Sequence, residues 1–168
     1  MHSIKHIFFI SLALFLSACV EDLAPEKEDL RKESSFEVKP SANFSASTTT
    51  NDAINLEDEL ASYDAVVLYF TMWCSTCSGH MDEIDYKQDN YPNIRFLMVD
   101  YVSGSIAQSK RSQRDNGYQH MTTLVDNNDV LQNLYDGKMA TTVIINSQQE
   151  IIFNELYKNK LYDMLDAL

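Results

Sequence analysis

Cys74 and Cys77 stand two residues apart, Trp73-Cys74-Ser75-Thr76-Cys77, directly after the apolar run Ala65 to Phe70. Two cysteines at this spacing can close and reopen a disulfide on the first turn of a helix. A thiolate at that helix end is favoured by the free N–H groups and the helix dipole. The same spacing also serves half of a zinc site or a structural clip. The chain holds 3 cysteines and 4 histidines, and structural zinc needs four ligands, usually from a second Cys pair or a close His pair. His2 and His6 lie at the extreme N-terminus, and His80 and His120 are isolated, so no metal site is expected. Reversible sulfur chemistry needs no cofactor beyond the cysteine pair itself.

The elements that would hold this pair are legible from periodicity. Leu56 to Ala61 reads as a short helix. Ala65 to Phe70 reads as a strand buried on both faces, because its apolar residues are continuous rather than alternating. In the helix that follows, Cys77, Met81 and Ile84 share one stripe, which buries the second cysteine and leaves Cys74 at the exposed N-terminal end. Tyr91-Pro92-Asn93 breaks the helix, and Ile94 to Asp100 is a second strand. Ser105 to Asn116 reads as a polar helix, Thr123 to Val125 as a short strand, and Val130 to Tyr135 as a helical turn closed by Asp136-Gly137. Thr142 to Ile145 and Glu150 to Phe153 form an antiparallel hairpin. A last helix places Leu161, Met164, Leu165 and Leu168 on one face. The expected fold is α/β, a central mixed sheet flanked by helices on both faces.

The N-terminus is different in kind. Ile7 to Ala18 is almost wholly apolar, follows Lys5, and is shorter than the roughly 20 residues of a spanning helix. It ends in Leu16-Ser17-Ala18-Cys19, which resembles the lipobox of bacterial lipoproteins; that resemblance implies cleavage before Cys19 and lipidation of Cys19. Val20, where such lipoproteins carry Asp for retention, implies release to the outer membrane, facing the periplasm. Residues 20–51 are first charged and then Ser/Thr-rich, a composition that cannot bury a core. The expected layout is a signal peptide at 1–18, a lipid-anchored flexible linker at 19–51, and one folded domain at 52–168.

From Asn55 to the C-terminus the chain resembles the thioredoxin-like superfamily, and within it the membrane-anchored thiol-disulfide oxidoreductases of the TlpA-like branch. The matching stretches are VVLYFTMWCSTC, TTLVDNNDVLQNLYDG and ATTVIINSQQEIIF. The resemblance implies a thioredoxin-like fold, Cys74 as attacking thiolate, Cys77 as resolving thiol, and a substrate loop at Met139, Ala140 and Thr141. It implies protein thiol or disulfide substrates and an envelope redox partner, with lipid-anchored relatives acting mainly as reductases. The chain departs from the pattern twice. Ala140 stands where the family has a cis-proline, and a cis bond without proline costs roughly 2.5–4 kcal/mol, so the Met139-Ala140 peptide is expected trans. Leu68 stands where cytoplasmic thioredoxins bury a carboxylate.

Several readings stay open at this level. Trp73 either shields the thiol and meets substrate or packs locally. His80 reads as a solvated helix residue. Cys74 and Cys77 could bind Cu(I), helped by Met72, Met81 or His80, and a non-catalytic binding module would share the fold. A peroxide-reducing site is disfavoured, since Val67 occupies the position of its expected proline. The net charge of -12 excludes a nucleic-acid partner, whose phosphates require basic surface.

Overall fold

The computed structural model describes residues 37–157 and 160–168. The expected signal segment, Cys19 and the first part of the expected linker lie outside the described residues.

Eight strands form one mixed sheet: β1 (Lys39–Pro40), β2 (Ser45–Thr48), β3 (Ala53–Asn55), β4 (Ala65–Thr71), β5 (Ile94–Asp100), β6 (Thr123–Val125), β7 (Thr141–Asn146) and β8 (Glu150–Leu156). Their order across the sheet is β1-β8-β7-β4-β5-β6-β2-β3. Strands β4, β5 and β6 run parallel, and β7 runs antiparallel to β4. Among the described residues five helices complete the fold: α1 (Leu56–Leu60), α2 (Ser75–Gln88), α3 (Ile106–Asp115), α4 (Val130–Tyr135) and α5 (Lys160–Leu165).

Every residue of β4 is buried, as its unbroken apolar run predicts for a strand covered on both faces. Side chains alternate across a strand, and the core divides accordingly. Ala65, Val67 and Tyr69 pack with Met81 and Ile84 of α2 and Leu161, Tyr162 and Leu165 of α5. Val66, Leu68 and Phe70 pack on the other face with Leu56 of α1 and Leu131 and Tyr135 of α4. Leu68 is thus apolar among apolar neighbours, on the face away from α2.

The domain begins earlier than its composition suggests. Residues expected to be linker form β1 and β2; β1 pairs with β8, and β2 joins β6 and β3. Phe44 is buried against Tyr135, and Thr49 donates to Gln113 at 2.7 Å. Backbone pairing and one aromatic anchor hold a Ser/Thr stretch that has little apolar surface of its own. At the other end, Leu161 and Leu165 are buried as expected, whereas Leu168 lies beyond α5 and is exposed.

The arrangement brings one edge of the sheet together. The C-terminal end of β4 places Thr71 beside Asp100 at the end of β5, and the start of β7 reaches the same edge because it runs the other way. Gly137, just before β7, lies against the Phe70 ring: a Cβ there would come within 2.2 Å of it. Glycine is what lets this loop approach β4.

Candidate active site at the head of helix α2

Cys74 is the N-cap of α2, with extended backbone, and its sulfur accepts the Cys77 amide at 3.3 Å. Cys77 is fully buried on the stripe it shares with Met81 and Ile84, while Cys74 is only partly covered. The two Sγ atoms are 2.8 Å apart. Burial pushes the Cys77 thiol up, and hydrogen bonds from the Cys74 thiol, from the backbone at Met72 and Cys74, and from Thr71 outweigh it and hold the thiol below its usual range. Access distinguishes the two sulfurs, since only Cys74 is open to a second molecule.

Trp73 adopts a left-handed backbone, φ 58, stabilised where its amide donates to Thr71 Oγ1 at 3.2 Å. Its indole N–H donates to Asp100 Oδ2 at 2.8 Å, and its ring packs against the core cluster on the α2 side of the sheet. The other Asp100 oxygen accepts the amides of Val102 and Ser103, both at 3.1 Å. A carboxylate only 1% exposed therefore fixes the residue preceding the cysteine pair. Trp73 is thus held by local contacts and stays partly exposed next to Cys74.

Met139, Ala140 and Thr141 reach the pair from the other side. Cys74 Sγ meets Met139 Sδ at 3.4 Å. No peptide bond among the described residues is cis, and Ala140 takes φ 66, a region costly for any residue with a Cβ. Its amide donates to Phe70 O at 3.0 Å and its carbonyl accepts from Tyr157 at 2.6 Å. Thr141 binds back on Lys138, amide to carbonyl at 2.9 Å and hydroxyl from amide at 2.9 Å. The main-chain groups of Ala140 are consequently engaged within the domain, and Met139, 40% exposed, is the part of this loop that faces outward beside Cys74.

His80 departs from its sequence reading. It is partly buried, with Nδ1 3.0 Å from the Tyr69 hydroxyl and its ring stacked on Tyr157 at 4.3 Å. Burial lowers its pKa, against the opposing charge of Glu83. The Tyr69 hydroxyl is held far above the ordinary tyrosine range, first by burial and then by charge and hydrogen bonding from Cys77. Of the candidate soft ligands, Met81 is buried in the core and Met72 is exposed. Asp100 and Tyr69 had no local signal in the sequence. Only the pairing of β4 with β5, and of α2 with β4, brings them to the sulfurs.

No family model matches the sequence, and no curated protein matches it. Solved structures do. The lipoprotein thioredoxin Etrx1 of Streptococcus pneumoniae, described as pneumococcal and exposed, aligns with TM-score 0.63 at 20% identity, covering 76% of this chain and 100% of that one. A putative thioredoxin of Neisseria meningitidis aligns with TM-score 0.64 at 19% identity, over 76% of this chain and 87% of that one. A putative thiol:disulfide interchange protein DsbE of Chlorobium tepidum aligns with TM-score 0.62 at 16% identity, over 77% and 92%. At such identities the likeness establishes architecture: the chain has the thioredoxin-like fold, a mixed sheet with helices on both faces.

Proposed function

We propose that the domain is a thiol-disulfide oxidoreductase acting on protein substrates, in the reducing direction, from a lipid anchor at Cys19 on the periplasmic face of the outer membrane. One observation carries the chemistry: an accessible Cys74 and a buried Cys77 with sulfurs 2.8 Å apart at the N-terminus of one helix. Cys74 attacks a substrate disulfide and forms a mixed disulfide. Cys77 then attacks Cys74, and the substrate leaves reduced. The thioredoxin and thiol:disulfide interchange proteins among the fold neighbours support the reaction class, and the exposed pneumococcal lipoprotein supports the location. Among the described residues no helix is long and apolar enough to cross a membrane, which is compatible with tethering through Cys19.

Trapping tests this reading. A Cys77→Ser protein expressed in a bacterial envelope accumulates partners joined to Cys74, visible as thiol-sensitive bands under non-reducing conditions, and the Cys74→Ser/Cys77→Ser protein accumulates none. Equal, empty lanes from both proteins overturn it.

A Cu(I) carrier is the second reading, favoured by Met139 Sδ at 3.4 Å from Cys74. That contact adds a third soft sulfur to the pair. Stoichiometric Cu(I) binding without disulfide turnover would select it.

A further inference from the structure

We infer that the Met139 thioether is a reversible oxidation site: a peroxide converts it to the sulfoxide, and the Cys74/Cys77 pair beside it reduces it again. The inference rests on the redox reading above and gives the pair a substrate within its own chain.

Met139 and Met72 are the exposed methionines among the described residues, at 40% and 42%, while Met81, Met98 and Met121 are buried. An oxidant in solvent therefore reaches both alike. What sets Met139 apart is its neighbour: its Sδ lies 3.4 Å from Cys74 Sγ, which in turn lies 2.8 Å from Cys77 Sγ. The order of contacts, Met139 to Cys74 to Cys77, is that of a substrate sulfur, an attacking thiol and a resolving thiol.

The contact is held from the main chain. The Lys138 amide donates to Thr141 Oγ1 and the Thr141 amide to Lys138 O, both at 2.9 Å, and the Ala140 amide donates to Phe70 O at 3.0 Å. The backbone is thereby fixed on both sides of Met139. Thiols in solution reduce sulfoxides slowly, so positioning decides whether the reaction counts. The 3.4 Å separation falls within the roughly 3–3.5 Å of a near-attack arrangement, in which orientation is worth an effective concentration on the order of 10⁵–10⁸ M.

The arrangement also matters for Cys74. Excess oxidant carries an exposed thiolate to the irreversible sulfinic acid, whereas a methionine sulfoxide is reducible. A thioether lying against the nucleophile takes up oxygen in a form that the nucleophile can remove.

Both steps balance. Hydrogen peroxide gives one oxygen to Met139 Sδ and leaves as water, and the sulfur loses two electrons. Oxygen added from the solvent side leaves Sδ open to Cys74 from the opposite side. Cys74 Sγ then bonds to Sδ as the sulfoxide oxygen departs as water, carrying the protons of the two thiols. Cys77 attacks Cys74 Sγ, the Sδ–Sγ bond breaks, and its electron pair returns to Sδ. The thioether has regained two electrons, the cysteines have lost two as their disulfide, and a dithiol reductant restores the pair.

The test uses the full domain in its disulfide form, with a metal chelator present. Hydrogen peroxide oxidises Met72 and Met139, catalase removes the excess, dithiothreitol is added, and site-resolved mass spectrometry follows each sulfoxide. Met139 is expected to recover at least about a hundredfold faster than Met72. At least about half of it recovers, because peroxide forms both sulfoxide epimers and Cys74 approaches from one side. In Cys74→Ser, and in wild type alkylated at Cys74 before oxidation, both sulfoxides persist alike. Three results overturn the inference and leave the redox reading intact: sulfoxides that persist equally in wild type although the disulfide has been reduced, a Met139 that peroxide spares while oxidising Met72, or equally fast recovery of Met139 without a Cys74 thiol. A wild-type protein that forms no Cys74–Cys77 disulfide overturns both.

Discussion

The thioether sulfur of Met139 lies 3.4 Å from Cys74 Sγ, although no proline and no cis bond holds the loop that carries it. Three contacts hold that loop instead. Gly137 admits the backbone against Phe70, the Ala140 amide donates to Phe70 O, and the Ala140 carbonyl accepts from Tyr157. The group that this loop places outermost beside Cys74 is the flexible, polarizable Met139 side chain.

The conformation of Ala140 makes the family's proline a poor replacement. Proline fixes φ near −65° and removes the N–H, whereas Ala140 has φ 66 and donates to Phe70 O at 3.0 Å. Ala140→Pro is expected to lower stability by about 3 kcal/mol or more. Ala140→Gly is expected to be nearly neutral: it relieves about 1 kcal/mol of left-handed backbone cost and forfeits about 0.8 kcal/mol from a buried methyl. Urea denaturation of the two variants measures both; a stabilising proline would show that the loop is not held as described.

Asp100 is expected to set the geometry of Trp73. Asp100→Ala strands the indole N–H and the amides of Val102 and Ser103, at a cost of about 2–4 kcal/mol. Trp73 is the only tryptophan, so its fluorescence reports the change directly: emission shifts to the red as the indole loses its partner. Asp100→Asn, whose amide oxygen still accepts, shifts less. Unchanged emission in Asp100→Ala would mean that the indole is held by packing alone.

Stability is expected to fall on mild acidification, in part through His80. Its folded-state pKa is lowered by burial from the ordinary 6.5, so the unfolded chain takes up the proton more readily. The contribution is complete above the unfolded value and is lost progressively as pH falls from there through the lower folded-state value. Glu83, lowered by its bond to Lys87, acts in the same sense in the more acidic carboxylate range. Urea midpoints should therefore decline between about pH 7.5 and 5.5, and His80→Gln should flatten that decline. An identical slope in the variant would contradict the assignment.

The framework of the domain was legible because its central strands are uniform. Ala65 to Phe70 and Ile94 to Asp100 are too apolar for any position but the middle of a sheet, and the stripe Cys77, Met81, Ile84 oriented α2 against them. The edges were not legible. Residues 39–48 carry little apolar surface, and they become strands through pairing with β8 and β6. His80 shows the same limit at the site. Six residues beyond Cys74 it looks like a solvated polar residue, and in the fold Tyr69 meets it from β4 while Tyr157, after β8, stacks on its ring. Asp100 likewise ends a strand with an ordinary acidic residue until β4 and β5 align Thr71 beside it.

Equilibration of the purified domain in graded dithiothreitol or glutathione buffers, with thiols counted by alkylation and mass, tests the Cys74/Cys77 chemistry most directly. A single two-electron transition between dithiol and Cys74–Cys77 disulfide is predicted, at a reducing potential near about −270 mV. A potential near about −120 mV would reverse the proposed direction. Absence of the disulfide at every poise, above all with Cu(I) bound one to one, would contradict the redox account itself.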